Sequence, residues 1–154
     1  MSEDLIQAAE RFALTLSQYG LQRMTARVMA GLLFTQQDTM TAGDLSEQLG
    51  VSSGAMSGAL KNLTSMGMIE RVPAPGSRRD HFRFRDGAWA TLMSSQNAAL
   101  AQMTEAAEEG ISTAGTDTPA GHRLVQMRDF YTYMLSEMPA LIERWHAVQA
   151  AHPR

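Results

Sequence analysis

The chain has 154 residues, 44% hydrophobic and 19% charged, which allows one domain with a real core or a small domain with an extension. It contains no cysteine, which excludes disulfide frameworks, thiolate metal sites, cysteine nucleophiles and thiol redox sensing together. The net charge of −3 is unevenly spread: residues 20–85 hold eight basic and five acidic side chains, for +3, and the flanks carry −6. A basic middle between acidic flanks fits a negatively charged partner. The longest apolar run, 28–34, is far too short to span a membrane, and the acidic opening at Glu3 and Asp4 lacks the basic start of a secretion signal. A cytoplasmic location is expected.

Taken in order, Leu5, Ala9, Phe12, Leu16 and Tyr19 recur at helical spacing, and Gly20 stands where a helix-ending glycine would. A second helix is predicted over 21–34, with Met24, Val28 and Leu32 on one face and Arg23 and Arg27 one turn apart elsewhere. Thr41 is placed to cap a short helix over 42–49, with Asp44 at the third position and Gly50 closing it. Ser52 then caps a third helix, from 53 to about 66, whose Met56, Ala59, Leu60 and Leu63 face the core; Gly67 stops it. Two helices joined by a short glycine-containing turn form a helix-turn-helix.

A hairpin follows, with strands over 68–72 and 81–85 and turn residues between. Phe82 and Phe84 take one face, Arg83 and Arg85 the other, and the tip projects Arg78 and Arg79. Beyond Asp86, Trp89, Leu92, Met93, Leu100 and Met103 mark a long amphipathic helix ending near Gly110, and a glycine- and threonine-rich linker is expected over 111–118. Pro119 suits the first turn of a last helix carrying apolar side chains from Leu124 to Val148, which Pro139 should kink or restart. Apolar faces this long, with little chain left to cover them, call for a second copy. The fold expected is mainly α with a small β-hairpin wing: an N-terminal dimerisation helix (1–20), a winged helix-turn-helix (21–86) and a C-terminal helical dimerisation region (87–154).

The segments LSEQLGV (45–51), Leu60 to Leu63, MGMIER (66–71) and PGSRRD (75–80) resemble the winged helix-turn-helix of MarR-type bacterial regulators, especially the GbsR-like branch. The resemblance implies a homodimeric transcriptional regulator without catalytic machinery or cofactor. It would bind a near-palindromic operator in double-stranded DNA, repress nearby genes such as those of an efflux transporter, and be released by a small hydrophobic or phenolic effector. The third helix would enter the major groove, presenting Ser53, Gly54, Ser57, Gly58, Lys61 and Asn62, with Thr41 and Ser52 at the helix starts. Serines can meet bases or phosphates, Lys61 would neutralise a phosphate, and Asn62 could pair with adenine. Small residues at 54, 55, 57 and 58 depart from the bulky or basic face common in the family and favour close backbone approach. In the wing, Gly76, Ser77, Arg78, Arg79, Asp80 and His81 would contact DNA, the arginines entering a minor groove and Asp80 orienting one of them by an ion pair.

Trp89, Met93, Met127, Tyr131 and Met134 could line an apolar effector pocket, although a stripe at helical spacing also reads as plain core. His81, His122, His146 and His152 are scattered without metal-ligand spacing, and no phosphate loop or nucleophile elbow is present. The alternative function is a winged-helix protein-docking module that uses Phe82 and Trp89. An enzyme is the least supported class, for want of an acid, base or metal cluster.

Overall fold

A computed structural model describes residues 3–152. In chain order the elements are α1 (Glu3–Gln18), α2 (Arg23–Phe34), β1 (Met40–Thr41), α3 (Ala42–Leu49), α4 (Ser53–Ser65), β2 (Ile69–Val72), β3 (His81–Phe84), α5 (Ala88–Ala114) and α6 (Pro119–Ala151). The fold is mostly helical with one small three-stranded antiparallel sheet. Two compact units divide the chain, one running through Trp89 and the other starting at Ala90.

In the first unit α2 is the central helix, buried on nearly every side from Thr25 to Leu32. Alanines let α1 approach it closely: Ala9 and Ala13 meet Ala26 and Ala30, and Phe12 and Phe34 close the seam with ring centroids 5.7 Å apart. Arg27 binds Glu10 of α1 at 2.7 Å and donates to the carbonyl of Leu49 at 3.1 Å, so one guanidinium ties three helices together. The helix expected over 1–20 as an N-terminal dimerisation helix packs, within its chain, into the same unit as the helix-turn-helix. Residues 1 and 2 of that segment lie outside the described residues.

The core under the helix-turn-helix is formed by Val28, Leu45, Met56, Leu63, Met68 and Ile69, each essentially inaccessible to water. Burying each such side chain contributes roughly 1.5–3 kcal/mol. Thr41 and Asp44 form the expected reciprocal cap: the Asp44 amide donates to the Thr41 hydroxyl, and Asp44 Oδ2 accepts from the Thr41 amide at 2.9 Å. Gly50 ends α3 with φ +63°, a left-handed conformation that glycine adopts without strain.

The wing is a three-stranded sheet in the order β1-β3-β2 where a two-stranded hairpin was expected. Glu70 lies opposite Arg83 in the β2–β3 ladder and accepts from its Nε at 2.7 Å. Met40 and Thr41 pair with Phe82 and His81, adding β1 on the other edge. Two residues carry no alternation to read, so β1 exists only because β3 lies beside it.

In the second unit α5 runs through Gly110 to Ala114, so the first half of the linker expected over 111–118 is helix. Gly110 stays helical at a point of close packing, since a Cβ there would come within 2.8 Å of Leu124 Cδ1 on α6, and Ala107 and Ile111 beside it are buried. The true turn is centred on Gly115, with φ +80°. Thr118 then caps α6 by accepting from the Gly121 amide at 3.0 Å, with Pro119 in the first turn. Gly121 lies so close to the carbonyl of Gly115 that no side chain would fit. Of the kink or restart expected at Pro139, the restart does not occur; α6 continues through it as one element, with Met138 buried alongside. Among the described residues no helix is long and apolar enough to cross a membrane.

Candidate nucleic-acid interface

Helix α4 has two unlike faces. Met56, Ala59, Leu60 and Leu63 are buried, whereas Ser53, Gly54, Ala55, Ser57, Gly58, Lys61 and Asn62 are exposed, as the helical spacing required. Gly54 and Gly58 have nothing within 4 Å of where a Cβ would stand. They are therefore not there to admit a neighbouring helix; they leave a shallow exposed backbone strip that a surface could approach closely. Ser52 accepts from the Ala55 amide at 3.4 Å, which caps α4 and leaves the hydroxyl proton free to donate outward.

Between α4 and the wing lies an open groove of about 740 Å³. Ser57, Leu60 and Lys61 line one wall, Arg71, Arg79, Asp80 and Phe82 the other, with Thr41, Ala42 and Gly43 at its end. Three cations against one carboxylate make it basic. The wing tip from Gly76 to Asp80 is exposed throughout, and Gly76 turns the chain with φ +84°.

Several residues of the expected set are engaged by partners within the chain. Asp80 pairs with Arg71 at 3.3 Å, and with neither Arg78 nor Arg79: the turn carries it back over β2. Arg71 also lies over the Phe82 ring, 5.9 Å from its centroid. The Asn62 amide donates to the hydroxyl of buried Thr25 at 3.4 Å, so it is engaged with α2 and is not held ready for a base. Thr41 is 5% exposed and its hydroxyl both accepts from the Asp44 amide and donates to the Asp44 carboxylate, leaving it a cap. His81 is bonded at both ring nitrogens, to Thr39 and Ser77. Arg78 and Arg79 have no ion-pair partner among the described residues.

The Asp44 carboxyl is held below the usual carboxylate range, chiefly by the Thr41 amide and hydroxyl, with smaller help from the charges of Arg79 and His81. The first turn of α3 and the wing thus share one electrostatic neighbourhood. Sequence reasoning gave no site role to Thr39, which lies in no recognisable motif, or to Arg71, which ends the MGMIER segment: only the cross-strand register brings Arg71 beside Phe82.

Of the residues expected to line an effector pocket, Trp89 belongs to the first unit and Met93, Met127, Tyr131 and Met134 to the second. Trp89 packs on Phe84 with centroids 5.5 Å apart, while Met93 and Met127 are exposed and Tyr131 and Met134 half-buried. None of these five side chains lines the groove between α4 and the wing.

Comparison with known proteins agrees with this architecture. Residues 19–80 match the MarR family profile, and residues 87–149 match that of MmpR5-like MarR family transcriptional regulators. The HTH-type transcriptional regulator MmpR5 of Mycobacterium tuberculosis is 30% identical over 132 residues, covering 85% of this chain and 80% of that protein. A crystal structure of a transcriptional regulator superposes with a TM-score of 0.80 at 28% identity, covering 94% of this chain and 99% of the other. The chain belongs to the MarR family of winged-helix transcriptional regulators.

Proposed function

We propose that this regulator binds double-stranded DNA as a homodimer in the cytoplasm, setting α4 into the major groove and the wing tip of Arg78 and Arg79 into the adjacent minor groove. The observation that carries this reading is the juxtaposition of the open strip at Gly54, Ser57 and Gly58 with a basic groove and two arginines that have no ionic partner among the described residues. Small side chains make few base contacts, so affinity comes largely from phosphate neutralisation and from groove shape. Phe130, Tyr133, Leu141 and Trp145 on α6 are each 47% or more exposed, and a second copy would cover them. A symmetric pair presents two recognition helices, hence a near-palindromic operator with half-sites one or more helical turns apart.

Repression of neighbouring genes, release by a small apolar or phenolic effector, and placement in the GbsR-like branch belong to the same proposal. The branch rests on residues 45–51, 66–71 and 75–80. The effector reading rests on the exposed methionines and aromatics of the second unit, which an apolar ligand would cover. Selection of genomic fragments by the purified protein, followed by footprinting, tests the DNA reading: protected half-sites with centres about 34–36 Å apart or a multiple of that are expected. Failure to retain any fragment at low salt, together with a stoichiometric protein partner, would replace it with a protein-docking role.

A further inference from the structure

We propose that His81 is a positioning residue that latches the wing tip to the start of the helix-turn-helix and thereby sets the direction of Arg79. This rests on the DNA-binding reading only for its consequence; the latch itself rests on geometry. His81 is half-buried in β3, opposite Thr41 in β1 and Val72 in β2. Its Nδ1 lies 3.0 Å from the Thr39 hydroxyl, just ahead of β1, and its Nε2 lies 3.0 Å from the Ser77 hydroxyl in the wing tip. Ser77 Oγ in turn accepts the Arg79 amide at 3.1 Å.

The chain of contacts is therefore continuous, from Thr39 through His81 and Ser77 to the backbone of Arg79. Thr39 stands two residues before Thr41, the cap of α3, so the wing tip is registered against the first turn of the helix-turn-helix. Without this link the segment 73–80 would be held by little else. It is exposed over most of its length, has one backbone hydrogen bond of its own, from the Ser77 amide to the Ala74 carbonyl, and otherwise relies on the exposed Arg71–Asp80 pair. A loop arginine pays ordering entropy on binding DNA unless its backbone is fixed beforehand, which is what the latch does.

Two readouts test this, one of them without DNA. In the intact protein, amide exchange at Arg79, followed by NMR, should be slowed in the wild type and accelerated in both His81→Ala and Ser77→Ala. With a fluorescent duplex of about 30 base pairs carrying A·T tracts, His81→Ala should weaken binding about three- to tenfold, on the scale of one or two net hydrogen bonds. In an Arg79→Ala background the same change should cost less than about twofold, because both act through one group. Additive losses, or Arg79 exchange unchanged in both variants, would overturn the latch. If His81→Ala fails to fold, Ser77→Ala at the exposed tip carries the same test. If the wild type ignores the duplex while Arg79 exchange responds, the DNA reading fails and the latch stands.

Discussion

Gly54 and Gly58 are poor helix residues at exposed positions, and nothing in the fold requires them. Alanine at either site should stabilise α4 by about 0.5–1 kcal/mol, since it removes backbone freedom from the unfolded chain and meets no neighbour. The same substitution puts a methyl on the strip proposed to face DNA. Gly58→Ala is therefore expected to raise the midpoint of denaturant unfolding while lowering DNA affinity; a gain in stability with unchanged affinity would show that the strip does not touch the duplex. At this scale the sequence was most legible where chemistry is local. Thr41, Asp44 and Gly50 could be read as caps because their partners lie within four residues. Asp80 and Asn62 could not be read, because their partners, Arg71 and Thr25, are supplied by sheet register and helix packing.

At the scale of elements, the α3 cap gives the fold a predictable acid limit. Asp44 is held below its ordinary value of 3.8 by hydrogen bonds to its charged form. Its contribution to stability is therefore complete above that ordinary value and is lost as pH falls through the lowered one. Asp44→Asn should cost about 1 kcal/mol at neutral pH and should flatten the fall in stability below about pH 4. Denaturant unfolding at a series of acidic pH values measures this, and an undiminished slope in the variant would remove Asp44 from the account. Element boundaries followed the same logic of local against distant causes. Helices α1 to α4 were placed from periodicity and capping alone, whereas β1 escaped because two residues hold no pattern. The end of α5 was misread because Gly110 has the composition of a stop, although its packing against Leu124 keeps it helical.

For the whole molecule, charge is the organising quantity. An acidic protein with a basic middle concentrates its positive charge in the segment that forms α4 and the wing, and on the proposed reading the acidic flanks would oppose adherence to DNA elsewhere. That asymmetry was readable from the sequence; which cations remain unpaired was not, because Arg27 and Arg83 are neutralised by Glu10 and Glu70 only in the folded chain. The central claim is that Arg78 and Arg79 contribute charge directly to the DNA interface. Its most direct test is affinity for a duplex measured across a salt series, for the wild type and for Arg78→Ala/Arg79→Ala. The account predicts weaker binding for the double variant and a log–log salt slope shallower by about 2, one unit for each lost phosphate contact. Equal affinity and equal slope would contradict it.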